Sequence, residues 1–150
     1  QMFYNNKAYE AALEVYEPLY PLLKHKPEFL FEAAQSLSKT GQYEKANEYL
    51  ERAVLLSSDP MLYYVMAKNE QCLGEYRQAE KHLLHAIDIL PERIYPYYLL
   101  MNLYTEPSYF QPAKLKMAID SVLTKKPKVE SSAIKEMKEK ARSMLNNTSI

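Results

Sequence analysis

The chain repeats itself with a period of 33 to 34 residues, and this repeat constrains its fold more than any other feature. The segments TGQYEKANEYLERAV and LGEYRQAEKHLLHAI are two copies of one unit, with glycine, tyrosine and two alanines at matching positions. In each copy, apolar residues lie at helical spacing on both sides of the glycine. The unit is therefore predicted to be a hairpin of two helices joined by a glycine turn.

The composition disfavours or excludes several classes of protein. Two glycines among 150 residues leave few positions for the tight turns of a many-hairpin sheet protein. The 19 basic and 19 acidic side chains balance, so no overall field attracts nucleic acid. The single cysteine, Cys72, excludes an intramolecular disulfide and a cysteine-based zinc site. No apolar run has the length of a membrane-spanning helix, so the chain is predicted to be soluble.

Two stretches of the chain carry most positions of one known pattern. The unit that starts at Pro60 supplies Tyr63, Ala67, Gly74, Tyr76, Ala79, Leu83, Ala86 and Pro91, and the unit from Pro27 supplies Leu30, Ala34, Gly41, Tyr43, Ala46 and Ala53. This pattern resembles the tetratricopeptide repeat. The resemblance implies an all-α, right-handed superhelix of stacked helix hairpins, which binds proteins or peptides and is not an enzyme.

The repeat pattern predicts a division of the chain into six parts. These are a partial repeat with only its second helix (1–26), two repeats (27–59 and 60–93), a degenerate repeat (94–127), a capping helix (128–146) and a disordered tail (147–150). The unpaired helix at the start predicts a piece of a longer protein. It also offers a surface through which copies of the chain could form an oligomer.

The degenerate repeat replaces the turn glycine with the segment TEPSYFQP. Equating Ala113 with Ala79 would place Asp120 at a tight helix contact. A turn two residues longer instead places an apolar set on one face of the helix: Leu115, Ala118, Ile119, Val122 and Leu123. We therefore predict the longer turn.

The resemblance also implies where a ligand binds, because first helices of tetratricopeptide repeats line a concave groove. The candidate ligand-binding residues are Phe31, Gln35, Met61, Tyr64, Lys68, Tyr95, Tyr98 and Asn102. Exposed aromatic rings bury much area for little lost entropy, which suits an extended peptide, a partner helix or the face of a sugar. The alternative is that the rings pack between neighbouring first helices.

Catalytic, metal and cofactor sites are not predicted. His82 and His85 are three residues apart on a predicted helix, but no third or fourth metal ligand accompanies them. Of the lysines and asparagines that clamp a terminal carboxylate in chaperone-binding repeats, only Lys68 and Asn102 remain, so such a clamp is not predicted either.

Charge is uneven along the chain. Residues 1–113 hold 10 basic and 15 acidic side chains, whereas residues 114–150 hold 9 basic and 4 acidic ones. The basic C-terminal helix is a candidate for contact with an anionic membrane surface or an acidic neighbour. The alternative is a solvated cap rich in lysine.

A narrower resemblance concerns the last third of the chain. The segments LPERIYPYYLLMNLY and KKPKVESSAIKEMKEKA resemble the C-terminal repeat tail of bacterial O-antigen polymerase or ligase-type membrane proteins. This resemblance implies a soluble domain of a larger membrane protein. It offers a second function, a glycan-contacting or chain-length-sensing accessory domain. The predicted location is the cytoplasm, or the cytoplasmic face of such an inner-membrane protein.

Overall fold

The computed structural model describes residues 2–148, with side chains from Asn6 onward. Its α-helices in that range are α1 (Met2–Leu23), α2 (Pro27–Lys39), α3 (Tyr43–Val54), α4 (Met61–Cys72), α5 (Tyr76–Ile89), α6 (Tyr95–Tyr104), α7 (Pro112–Thr124) and α8 (Ser132–Asn147). A single 3₁₀ turn at Pro107–Tyr109 lies between α6 and α7. All regular elements of the described residues are thus helical. The division of the chain into repeats stays a prediction.

The two glycines end α2 and α4 in the same way. Gly41 and Gly74 have φ angles of 85° and 77°, in the left-handed region that favours glycine. After each glycine, a backbone N–H donates at 2.8 Å to a carbonyl five residues earlier, from Gln42 to Leu37 and from Glu75 to Glu70. This bonding satisfies carbonyls that the helix end would otherwise leave unpaired.

The chain divides into two compact units, residues 1–75 and 76–150. In the first unit, α2 and α3 contribute fully buried apolar side chains to one core: Leu30, Ala33, Ala34, Leu37, Ala46, Leu50 and Ala53. The alanines let helices approach closely, because a larger side chain at a fully buried position would push them apart. Asn69 donates to Asn47 at 2.8 Å, and this buried amide pair joins α4 to α3.

Within the first unit, one side of helix α1 packs on α2 and α3. Leu13 is buried, the ring of Tyr16 meets Phe29 edge-on at 5.8 Å, and the ring of Tyr20 lies 4.9 Å from Tyr49. The helix continues through Pro18. These contacts attach α1 to both α2 and α3.

In the second unit, α7 buries four of the five apolar residues predicted to share one face, Leu123 is half-buried, and the longer turn itself stays a prediction. Leu115, Ala118, Ile119 and Val122 are buried, whereas Asp120 is exposed. The 3₁₀ turn lies within the segment where the two added residues are predicted. Helix α7 therefore presents its apolar face to the core, and its charged residues Lys114, Lys116 and Asp120 lie at exposed positions.

Helix α8 ends the described part of the second unit. The Ser131 hydroxyl accepts a hydrogen bond from the Ile134 N–H at 3.2 Å, which caps the start of the helix. Lys138 donates to the carbonyls of Leu123 and Lys125 at 3.2 and 2.9 Å, close to the end of α7. Of the predicted tail at 147–150, Asn147 belongs to α8, and the last two residues lie outside the described range.

Candidate ligand-binding surfaces

A cleft of about 270 Å³ lies in the first unit, at the start of α2 and α4. It is lined by Pro27, Glu28, Phe31, Glu32, Ser57, Asp59 and Leu62. Phe31 is half-buried there, so part of its ring remains available to a ligand. Of the eight predicted binding residues, Phe31 is the one in this cleft.

The charge of the cleft is negative, because three carboxylates line it beside the apolar side chains. Glu32 accepts a hydrogen bond from the Tyr16 hydroxyl at 3.2 Å, and Asp59 accepts one from the Met61 N–H at 3.0 Å. The third, Glu28, is exposed on the first turn of α2. Apolar and anionic walls together suit a ligand side chain that is both apolar and cationic.

The other predicted residues of the first unit differ in exposure. Gln35, Lys68 and Met61 are exposed, and Met61 shows 43% of its surface. Tyr64 shows only 4% and lies in the core. A side chain this buried offers almost no surface to a ligand.

In the second unit, α6 places Tyr95 and Tyr98 side by side. The two rings are half-exposed, their centroids are 6.4 Å apart, and their planes differ by 22°. The Lys140 ammonium, from α8, lies 5.5 Å from the centroid of the Tyr98 ring. Asn102, one turn further along α6, has a buried Oδ1 with no hydrogen-bond partner among the described residues. The second unit thus presents aromatic rings next to a cation.

A buried carboxylate that the sequence analysis missed lies in the second unit. Glu80 on α5 accepts hydrogen bonds from the Tyr104 hydroxyl at 2.6 Å, from Lys114 at 3.0 Å and from the Tyr109 hydroxyl. The Tyr109 ring also stacks on Tyr76 at 5.8 Å. These contacts connect the long turn to α5, α6 and α7. No local pattern in the sequence marks Glu80, because its partners lie 24 to 34 residues away.

The hydrogen bonds of Glu80 decide its charge. Burial alone would raise the pKa of Glu80, but the hydrogen bonds from Tyr104, Tyr109 and Lys114 outweigh burial and lower it. Burial and the same carboxylate raise the pKa of Tyr104, and raise that of Tyr109 to about 12. Glu80 is therefore an ionised structural group, and both of its carboxylate oxygens accept hydrogen bonds.

The described residues hold no group of three or more His, Cys, Asp or Glu side chains that could bind a metal ion. Within the same residues, no helix has both the length and the apolar character to span a membrane. Cys72 is exposed at the end of α4.

A family model described as "Anaphase-promoting complex, cyclosome, subunit 3" matches residues 5–86 of the chain. Tetratricopeptide repeat protein 21A of Mus musculus is 35% identical over 86 residues, which are 57% of this chain and 6% of that protein. The matched stretch is thus a small part of the relative. Both matches confirm the tetratricopeptide assignment.

Solved structures of MamA have a similar fold. One crystal structure gives a TM-score of 0.71 at 19% identity, over 92% of this chain and 79% of MamA. A second gives 0.72 at 18% identity, over 95% and 81%. A MamA RS-1 ArsTM double mutant gives 0.70 at 19% identity, over 95% and 88%. At these identities the likeness shows the fold alone, and it confirms the predicted all-α tetratricopeptide class.

Proposed function

Because this chain belongs to the family described as anaphase-promoting complex, cyclosome, subunit 3, we propose that it binds an extended segment of a partner protein on its first helices. Its general role is that of a tetratricopeptide scaffold for protein interactions, without a catalytic part. The observation that carries the proposal is the partial exposure of Phe31 and Tyr98, which occupy the same repeat position on α2 and α6.

The first unit supports recognition of a basic and apolar side chain. Phe31 and Leu62 supply apolar walls, and Glu28, Glu32 and Asp59 supply negative charge. A lysine or arginine side chain of the partner could lay its aliphatic stem on the ring and direct its charge to the carboxylates. This arrangement gives the partner segment a preferred orientation in the cleft.

The second unit supports a different contact. Lys140 lies over the ring of Tyr98, so this surface offers both an aromatic edge and a positive charge. A partner residue that combines an acidic group with apolar area matches it. Each unit, taken by itself, would then recognise a different kind of partner residue.

The test selects peptides from a random phage-displayed library on the full 150-residue chain. Selected peptides are measured by fluorescence anisotropy with Phe31→Ala and Tyr98→Ala as separate variants. We expect at least one variant to weaken binding by about tenfold or more, since anchoring aromatic residues carry much of an interface's affinity.

Leu84→Ala is the matched control, because Leu84 is an exposed apolar residue on α5, a second helix. The Leu84→Ala variant should bind the selected peptides with the same affinity as the original chain. Equal affinities for all three variants would contradict the proposal, as would a selection that yields no binding peptide.

Glycan contact is the second candidate function, and the near-parallel rings of Tyr95 and Tyr98 favour it, because sugars stack on such rings. Lys140 weighs against it, since the ammonium lies over the Tyr98 ring that a sugar would use. An NMR titration with lipopolysaccharide-derived oligosaccharides decides between the two. Shifts that vanish in Tyr98→Ala would support glycan contact.

The remaining predictions concern cellular context. An origin in an O-antigen polymerase or ligase-type membrane protein, a cytoplasmic location and membrane contact through α8 all stay predictions from the sequence. For α8, the exposed basic residues Lys135, Lys140 and Arg142 support contact with an anionic surface.

A further inference from the structure

The segment that joins α7 to α8, residues 125–131, concentrates positive charge. Three of its first four residues are lysines, which no other run of four residues in the chain matches, and Glu130 is its one acidic residue. The side chains of Lys126 and Lys128 are exposed. Residues 125–131 are called the basic loop below.

Two lysines are held beside the basic loop at the end of α7. The ammonium group of Lys125 lies 4.9 Å from the centroid of the Tyr97 ring. Lys138 of α8 donates to the carbonyls of Leu123 and Lys125 at 3.2 and 2.9 Å. The partners of both ammonium groups carry no net charge, so these contacts fix two positive charges without neutralising them.

Carboxylates do not neutralise the basic loop either. In the part of the chain that the structure describes, no Asp or Glu side chain forms an ion pair with a lysine of the basic loop. Elsewhere, Lys45 binds Glu17 at 2.9 Å and Lys114 binds Glu80 at 3.0 Å. The charge of the basic loop therefore faces solvent, where it attracts anions.

An apolar side chain projects from the same segment. Val129, directly after Lys128, is 74% exposed, more than any other large apolar side chain described in the second unit. An apolar residue beside lysines suits the surface of a lipid bilayer. The apolar group enters the boundary between headgroups and acyl chains, and the ammonium groups stay at the level of the phosphates.

The type of cation also favours lipid over an acidic protein segment. All basic residues of the basic loop are lysines. The planar fork of an arginine matches a carboxylate held in a fixed position, whereas a lysine ammonium is a point charge on a flexible stem. Point charges suit lipid headgroups, which move in the plane of the membrane.

Helix α8 is less suited to this contact than the basic loop. The apolar side chains of its inner face are half-buried on the protein: Ile134, Met137, Met144 and Leu145. Its four basic residues are interspersed with Glu136 and Glu139. Helix α8 thus adds positive charge but presents no exposed apolar stripe.

We propose that the basic loop docks the second unit on an anionic lipid surface, with Val129 in the headgroup region and Lys126 and Lys128 at the lipid phosphates. Binding should be reversible, since one apolar side chain and a few charges give only weak membrane affinity. It should also weaken as salt screens the charges. The proposal is independent of peptide binding by the first helices.

The first test is co-sedimentation of the 150-residue chain with vesicles. Vesicles of phosphatidylglycerol and phosphatidylcholine in equal parts should bind the chain, and vesicles of phosphatidylcholine alone should not. The double variant Lys126→Gln, Lys128→Gln should bind about tenfold more weakly or less. Lys81→Gln, Lys116→Gln is the matched control, because both lysines are exposed in the second unit and the charge changes equally.

The second test locates the contact with a fluorophore sensitive to polarity. Because Cys72 is exposed, the variants are made in a Cys72→Ser background. A fluorophore on Val129→Cys should shift its emission to shorter wavelength when the phosphatidylglycerol vesicles are added. The same fluorophore on Met117→Cys should not shift, since Met117 is 69% exposed on α7, outside the basic loop.

Three results would overturn the proposal. The first is the absence of binding to phosphatidylglycerol vesicles, including the case in which the chain binds soluble polyglutamate instead. The second is an equal loss of binding in the loop variant and its lysine control, which would make the attraction one of net charge alone. The third is a loss confined to Lys140→Gln, Arg142→Gln, which would place the contact on α8. None of these results bears on the peptide-binding test with Phe31 and Tyr98.

Discussion

At the scale of single residues, Glu80 carries the clearest energetic consequence. A buried carboxylate is costly unless it is hydrogen-bonded, and Glu80 accepts bonds from two tyrosines and a lysine. These bonds hold the Pro107–Tyr109 turn, which lies between α6 and α7 and contains no glycine. We infer that Glu80 fixes the course of the chain between α6 and α7, as the glycine turn at Gly41 does between α2 and α3.

We predict that Glu80→Gln lowers the free energy of unfolding by about 1.5 to 3 kcal/mol at pH 7, because hydrogen bonds to a charged acceptor are lost. The loss should depend on pH. The pKa of Glu80 is lowered in the folded chain, so the unfolded chain takes up the proton first as the pH falls. The stabilisation is therefore present above the ordinary pKa of 4.5 and disappears progressively below it.

Urea unfolding of the original chain and of Glu80→Gln, from pH 7 to strongly acidic pH, measures this difference. The Tyr109→Phe variant serves as control, because it removes one donor and leaves the carboxylate charged, and it should cost about 1 kcal/mol. A difference between Glu80→Gln and the original chain that stays constant down to strongly acidic pH would show that the charge of Glu80 is irrelevant.

At the scale of elements, the fully buried alanines of α3 set how closely α3 packs against α2. Ala46 and Ala53 expose none of their surface, and they lie on the face that joins the core. Residues with longer side chains occupy the exposed positions of the same helix, such as Glu44 and Glu48. The spacing between α2 and α3 thus depends on side-chain size at Ala46 and Ala53. The exposed positions of α3 can hold larger side chains.

We predict that Ala46→Leu lowers the free energy of unfolding by about 1 to 3 kcal/mol, because the added atoms overpack the contact. Ala113→Leu on α7 is the matched control, since Ala113 is exposed and its substitution should change stability by less than about 0.5 kcal/mol. Chemical denaturation of both variants gives the comparison. Equal effects at the two positions would be incompatible with the longer turn before α7.

At the scale of the whole molecule, stability is expected to be unevenly distributed, as in other repeat folds. Helix α3 has five buried residues, whereas α8 has one, Ala141. Helix α1 likewise has Leu13 as its single buried side chain among those described. The helices at the two ends therefore contribute less apolar burial than those between them.

We predict that native-state hydrogen exchange finds lower opening free energies for α8 than for α3. The difference follows from the smaller apolar area that α8 removes from water. Exchange measured at several low urea concentrations separates local opening from global unfolding. A single common opening free energy for all helices would instead mean that the chain unfolds as one cooperative unit.

Features that depend on local periodicity could be predicted from the amino-acid sequence. The 33-residue offset predicts the helix hairpins, and the glycines predict turns that have positive φ angles at Gly41 and Gly74. The apolar spacing of α7 was enough to predict the burial of Leu115 and Ile119. These features are readable because helical spacing and turn geometry involve residues a few positions apart.

Which side chains of those helices stay accessible depends on the folded structure and could not be predicted from the repeat pattern. Tyr64 and Tyr98 share a repeat position, yet Tyr64 is buried and Tyr98 is half-exposed beneath Lys140. Glu80 meets partners up to 34 residues away, and Val15 of α1 is 60% exposed although Tyr49, 34 residues later in α3, is buried. Exposure and hydrogen bonding depend on contacts between distant segments, and the repeat pattern specifies each helix without specifying its neighbours.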